Sequence, residues 1–284
     1  MTSARSISVV VPTRDRPRQL AACLDALCRQ HHAATEIIVV DDCSSDAQQV
    51  ESVVARVTRA RLVLGAGRGP AAARNRGVQS AHGDVICLTD DDCRPTEQWT
   101  ARLAAQIDGG ADVVAGATQP SPPDAVATVA SQIITNELLA ASLDDGGTTV
   151  RFAPTCNLAM TPSIAERFPF DESFPLAAGE DREWCDRVIA AGHTISYDGA
   201  ATVAHRPELT VRTFWRQQVR YGRGAAHWRR RHTGDSDWQP VRFYLDLVRA
   251  GFTAGMRPGV LVVGAQVATG YGLLAESIAS AARN

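Results

Sequence analysis

The chain has 284 residues, a formal charge of −2 and 45% hydrophobic residues, enough for one large core with an appendage and without the basic excess that a nucleic-acid partner calls for. All 29 residues counted as Lys plus Arg are arginines, which excludes a Walker-type phosphate lysine, a Schiff-base lysine and a pyridoxal-phosphate anchor. The seven cysteines, Cys23, Cys28, Cys43, Cys87, Cys93, Cys156 and Cys185, form no CxxC pair, so they read as reduced packing residues, not as a disulfide framework or a thiolate zinc site.

The N-terminal apolar run is short and breaks at once into Arg and Pro, which is no secretory signal and predicts a cytoplasmic start. "ISVVVPT" (7–13) reads as a buried strand, "RPRQLAACLDALCRQ" (16–30) as a helix with Leu20, Cys23, Leu24 and Leu27 on one face, and "EIIVVDD" (36–42) as a second strand. A helix over 48–57, a strand over 61–65, a helix over 70–81 and a strand over 84–90 continue the alternation. Strands at this spacing predict an α/β fold with a mostly parallel sheet and helices on both faces. Ligands of such sheets bind beyond the carboxyl ends of the strands, where Thr13, Asp41, Asp42 and Asp90 to Asp92 fall.

The second half is less regular. A strand is expected over 111–119, a helix followed by a turn-rich loop within 121–147, an extended stretch over 149–161 and a helix over 180–192 with acids in its first turn. A strand "TISYDG" and the segment "ATVAHRP" follow, and from about residue 208 the chain reads as mostly helical. Within 210–232, Arg212, Arg216, Arg220 and Arg223 fall on one helical face, with Val211, Phe214, Trp215 and Val219 for the other. That stripe suits a diphosphate, anionic headgroups or plain solvent. "GVLVVGAQVATGYGLLA" (259–275) is apolar but falls short of the roughly 20 residues a spanning helix needs, and predicts a core-packing or membrane-surface helix.

Three adjacent carboxylates at a strand end, Asp90, Asp91 and Asp92 in "VICLTDDDCRP", repel one another unless water or a cation screens them. They fit a solvated turn, or a divalent cation shared with phosphate oxygens. The ordered set "VVVPTRDRP", "IIVVDDCSSD", "GRGPAAARNRGVQSAHGD", "VICLTDDDCRP", "GEDREWCDRVIAAG" and "AHRP", over about residues 6–205, resembles the family 2 glycosyltransferases, inverting enzymes of the GT-A type with a Rossmann-like sheet.

The resemblance implies a nucleotide-sugar donor, a hydroxyl acceptor and Mn²⁺ or Mg²⁺. It implies that Pro12, Thr13 and Arg14 lie against the nucleotide and that Asp42 accepts from a uracil-type base, the other reading of Asp42 being a turn cap. Arg74 meets either a phosphate or the acidic cluster itself, Asp90 the ribose or a metal-bound water, and Asp92 the metal directly, while Asp91 points elsewhere on the nucleotide-sugar side. His205 matches a further metal position. Asp181 of "GEDREW" is implied as the general base, with Glu180, Asn157 and Trp184 on the acceptor side. Arg220 and Arg223, in "RYGRG", fall on the diphosphate side.

The expected organisation is a GT-A nucleotide-sugar-binding and catalytic domain, 1–207, with a helical C-terminal extension, 208–284, packed on it. Its expected activity is transfer from a UDP- or dTDP-sugar to a glycan, lipid-linked glycan or small natural product. Two rivals of other classes are a sugar nucleotidyltransferase and a non-catalytic nucleotide-sugar-binding or membrane-associated scaffold. Peripheral contact at the inner face of a membrane through the C-terminal helices stays open, as does the oligomeric state.

Overall fold

The computed structural model describes residues 5–120, 125–174, 178–230 and 239–281. Its first part alternates β1 (Ile7–Thr13), α1 (Pro17–Cys28), β2 (Glu36–Asp41), α2 (Ala47–Val54), β3 (Ala60–Leu64), α3 (Pro70–Gln79) and β4 (Val85–Leu88). β1 pairs in parallel with β2 and with β4, and β2 pairs in parallel with β3. Alternate residues of β1 serve opposite faces. Val9 and Val11 join Leu20 and Leu24 of α1 and Val50 of α2, whereas Val10 joins Ala71 and Ala73 of α3. Both faces of the sheet are therefore apolar, which is why its strands read as continuous hydrophobic runs.

β5 (Cys93–Pro95), α4 (Trp99–Asp108), β6 (Val113–Pro120), α5 (Val126–Ala140) and β7 (Thr149–Val150) come next. A 3₁₀ turn, Thr155–Asn157, leads into β8 (Leu158–Met160), then α6 (Pro162–Arg167), α7 (Glu180–Ala190) and β9 (Ile195–His205). The sheet runs β3-β2-β1-β4-β8-β6-β9-β5, with β7 also on β9. β8 is antiparallel to β4 and β6, and β5 and β7 are antiparallel to β9, while β6 and β9 are parallel to each other. Strand order reverses between β1 and β4, which run parallel, and Thr13 and the Asp90–Asp92 turn emerge at the carboxyl ends of these two strands.

Several boundaries depart from the sequence reading. The extended stretch 149–161 is two short strands around a 3₁₀ turn, and 195–205 is one strand with a register shift opposite Gly116 and Ala117. β5, α4 and α6 were not expected at all. Residues 121–124 and 231–232, within two of the stretches read from sequence, lie outside the described residues.

The C-terminal part is helical as expected: α8 (Val211–Arg229), α9 (Val241–Thr253) and α10 (Met256–Ala281). α10 corrects the length taken from 259–275. The helix runs through Met256, Arg257 and Pro258 at one end and Glu276 to Ala281 at the other, so its 26 residues, with a window of mean hydropathy 1.4, are long and apolar enough to cross a membrane. One face of α10 is buried, through Val262, Ala265 and Ala268 among others. There Val262 and Ala265 meet Phe214 of α8, Phe243 and Leu247 of α9, and Ala127, Ala130 and Ile134 of α5. α8 and α10 touch backbone to backbone: a Cβ on Gly222 would lie 2.0 Å from the Thr269 carbonyl oxygen, and one on Gly272 2.1 Å from that of Val219.

Candidate active site at the sheet edge

The acids singled out in the sequence converge on the carboxyl edge of the parallel strands, and two arginines organise them. Asp91 is buried and turned inward, accepting from the Thr13 hydroxyl at 2.7 Å and from Arg16 Nη1 at 3.0 Å. The same Nη1 donates to Asp92 Oδ2 at 3.1 Å. Burial is the largest influence on Asp91 and pushes its carboxyl up to about 6 despite Arg16.

Asp92 faces His205. Its Oδ1 lies 3.4 Å from His205 Nε2, while the other ring nitrogen, Nδ1, is 2.9 Å from Gln132 Oε1 on α5. Gln132 Nε2 donates to Thr118 and Asn136, so its oxygen is the atom that faces the ring. His205 therefore carries a proton on Nδ1 and presents Nε2 to Asp92. Burial opposes charge on both partners, but their mutual hydrogen bond outweighs it, pulling Asp92 down to about 2 and raising His205 to about 9.

Arg74, on the first turns of α3, is 5% exposed and joins this turn to the second acidic motif. It donates to Asp90 at 3.1 Å and to Glu180 at 3.3 Å, and its Nη1 lies 3.8 Å from Asp181. Of the two sequence-level readings of Arg74, the structure realises the ion-pair one. Asp181 is oriented by Thr155, whose N–H and hydroxyl donate to its two oxygens at 3.2 and 3.1 Å. Burial raises Asp181, and it raises Glu180 to about 7, helped by the Asp181 charge beside it. Glu180 Oε2 has no hydrogen-bond partner among the described residues. The turn into α7 is a left-handed glycine, Gly179 at φ 93°, where a Cβ would come within 3.0 Å of the Gly224 carbonyl on α8. α8 thus closes on the Glu180–Asp181 pair. Tyr221 lies within electrostatic reach of both acids, and burial pushes its phenol up.

Other assignments change. Asn157 is fully buried: its amide donates to the Ala117 and Ala201 carbonyls and its oxygen accepts from Trp99 Nε1. Trp184 is fully buried too, donating to the Phe168 carbonyl and stacking on Phe170. Neither can meet an acceptor, because their polar groups are committed to the core. Asp42 accepts from the N–H groups of Arg68 and Gly69 at 3.2 and 2.8 Å, shaping the loop before α3, whereas the cap on the "CSSD" turn is Asp41. Pro12 is half-buried in β1, Arg14 is exposed, Arg220 is half-buried and Arg223 exposed on α8. Arg16, Gln132, Thr155 and Tyr221 were missed by the sequence reading.

Comparison with known proteins fits this layout. The sequence model described as Glycosyl transferase family 2 matches residues 8–160. Glycosyltransferase AglE of Haloferax volcanii is 27% identical over 228 residues, 77% of this chain and 72% of that protein. The pre-mycofactocin glycosyltransferase of Mycobacterium tuberculosis is 29% identical over 243 residues, 81% of this chain but only 49% of its own length, so this chain spans about half of it. The mannosyltransferase PcManGT of Pyrobaculum calidifontis, solved with GDP-Man and Mn²⁺, shares the fold at a TM-score of 0.61 and 20% identity, covering 100% of this chain and 88% of that one. S. aureus TarS 1–349, solved with UDP, does so at 0.54 and 16%, covering 87% and 72%.

Proposed function

Because the chain belongs to glycosyl transferase family 2 and is a glycosyltransferase, we propose that it is an inverting, metal-dependent enzyme that moves a sugar from UDP or dTDP to a hydroxyl acceptor. The observation that supports this most is the Arg74 clamp: one buried guanidinium meets Asp90 on the donor side and Glu180 on the acceptor side, with Asp181 3.8 Å away. Donor acids and base candidate are thereby joined through one arginine.

The residues fit a cation. Asp92 Oδ1 and His205 Nε2 converge at 3.4 Å, and Gln132 fixes the ring so that a lone pair, once the nitrogen is deprotonated, faces the carboxylate. An imidazole in the set favours Mn²⁺ over Mg²⁺. A cation held there supplies positive charge to the diphosphate as it departs.

Asp181 takes the proton from the acceptor hydroxyl as that oxygen bonds to the anomeric carbon and the bond to the diphosphate breaks, its electron pair leaving with the phosphate. Thr155 aims the carboxylate, and the raised affinity of Asp181 for a proton suits a base. Glu180 stands beside it toward the acceptor. Pro12, Thr13 and Arg14 line the nucleotide, Asp42 meets the base with the lone pairs its loop contacts leave open, and Arg220 and Arg223 approach the diphosphate from α8.

Residues 1–207 are the catalytic domain in this assignment and 208–284 the helical extension packed on it. We assign to α8–α10 a peripheral contact with an anionic membrane surface. Twelve of the thirteen exposed large hydrophobics among the described residues lie there, including Trp215, Phe252, Val260, Val263, Val267 and Leu274. Residues 208–284 carry eleven arginines against five acids, while 1–207 carry eighteen against twenty-six. Co-sedimentation with anionic vesicles, weakened by Val267→Asp, is the expected result; equal sedimentation with neutral vesicles removes the assignment.

Incubation with a panel of nucleotide sugars tests the activity. Slow release of nucleoside diphosphate that needs Mn²⁺ and stops with EDTA is expected, and binding of a donor with no release in any metal leaves a scaffold instead.

A further inference from the structure

The turn that ends β4 brings a thiol to the same place as the oxygen and nitrogen donors. Cys93 opens β5, and it stands directly opposite His205 in the antiparallel β5–β9 ladder, so the two side chains share one face of the sheet at cross-strand distance. Cys93 Sγ is 3.9 Å from Asp92 Oδ1, which is 3.4 Å from His205 Nε2, and the three donor atoms all lie within 4.8 Å of one another. A tetrahedral zinc ion with ligand bonds of about 2.0–2.3 Å spaces its ligand atoms by roughly 3.3–3.6 Å. Two of the three edges are thus close to that spacing. Arg16 occupies only the other oxygen of Asp92, Oδ2, so Oδ1 is available without moving the arginine.

From this we propose that Asp92, Cys93 and His205 form a site for a thiophilic divalent cation, Zn²⁺ foremost, which displaces the hard cation of the donor and so competes with donor binding. The inference rests on Asp92 and His205 being the donor-metal ligands. The chemistry of the set decides the preference. A carboxylate, a thiolate and a neutral imidazole cancel the charge of Zn²⁺, a favourable state for a buried centre, and thiolate raises selectivity for Zn²⁺ over Mn²⁺ and Mg²⁺. On binding, the S–H proton of Cys93 and any proton on His205 Nε2 pass to solvent, and the ion keeps one open position. Cys156, also buried and beside Cys93, is outside the set and serves as the control thiol.

The test uses the full chain. Titrated with Co²⁺ in place of Zn²⁺, the native protein is expected to develop a thiolate-to-metal charge-transfer absorption that Cys93→Ser and Cys93→Ala lack and Cys156→Ser keeps. Zn²⁺ affinity, read by competition with a chromophoric chelator, is expected to fall in both Cys93 variants by no less than the roughly 10–100-fold that loss of an outer partner costs. Mn²⁺ affinity should change less than about threefold, because Mn²⁺ gains little from sulfur. A native protein without the absorption overturns the proposal whether or not the variants fold, and so does an absorption or Zn²⁺ affinity that survives both Cys93 substitutions. Mn²⁺ binding unaffected by Asp92→Ala and His205→Ala refutes instead the donor-metal assignment, so the two failures are distinguishable.

Discussion

Arg74 is 5% exposed and commits its guanidinium to Asp90 and Glu180, with Asp181 close by, whereas Arg16, with a side chain 51% exposed, reaches over the rim to Asp91 and Asp92. Both arginines neutralise acids at one sheet edge, yet their surroundings give them different work. A buried guanidinium has lost its hydration, so it stays where its carboxylates are and fixes their relative positions. A half-exposed one exchanges its carboxylates for water at little cost, which makes the Asp92 side receptive to another cation. The rigid half suits the base and the yielding half suits the metal.

The rigid half should give the largest effects. Asp181→Asn keeps the shape and an oxygen for the Thr155 N–H but cannot take a proton; turnover is expected to fall by roughly 10²–10⁴-fold with donor binding intact. Steady-state release of nucleoside diphosphate, set beside calorimetry of donor binding, checks it, and native turnover would remove the base. Arg74→Met leaves its acids without their shared cation and is expected to cost about 3–5 kcal/mol in denaturant unfolding. Adding Glu180→Gln to Arg74→Met should recover part of that loss, while simple additivity would mean that the two groups do not interact.

The yielding half should respond more gently. Gln132→Leu frees the His205 ring from its tautomer, and Mn²⁺ affinity is expected to drop about 10–100-fold in a paramagnetic-resonance titration. An unchanged affinity would mean that His205 does not ligate through Nε2.

Much of this layout was legible in the sequence, and what escaped follows a physical pattern. The strands β1, β2 and β4 and the polar residues at their ends were readable because a strand buried on both faces must be a continuous apolar run that ends in polar residues. Arg74 was found, although its choice between phosphate and carboxylate needed coordinates. Thr155 and Gln132 were missed because they act through contacts with residues 26 and 73 positions away, and neither type carries a signal of its own. Asn157 and Trp184 were misplaced because a core amide hydrogen-bonded to two strands, or a core indole bonded to a carbonyl, looks in sequence like a polar residue next to a motif. α4 was missed although Trp99, Leu103 and Ile107 stand at helical spacing directly after the acids. α10 was cut short because its flanks, Met-Arg-Pro and Glu276 onward, break the apolar run but not the helix.

The rigid half also predicts a pH effect. Glu180 has a folded-state value near 7, above its ordinary value of 4.5, because burial and the neighbouring Asp181 disfavour its charge. Between those two values the folded protein holds a proton that the unfolded chain has released, so stability falls as pH rises through that window. Thermal melting across pH 4.5–7 should show this slope, and Glu180→Gln should flatten it. A slope that Glu180→Gln leaves untouched would assign the titration to another buried acid.

The smallest expected effect is the one that separates the two arginines most directly. Arg16→Gln removes one positive charge from the Asp91–Asp92 pair without opening the core, since the side chain is half exposed. Free of that charge, the Asp92 carboxylate should bind Mn²⁺ more tightly in the absence of nucleotide by about 1 kcal/mol, about fivefold. Resistance to unfolding without metal should fall by a similar amount, because the same interaction is lost from the folded state. The signs are opposite, and a residue that merely packed would lower both. Weaker Mn²⁺ binding in Arg16→Gln would mean that the guanidinium supports the metal ligands rather than competing with their cation, and would erase the distinction between the yielding arginine and the rigid one.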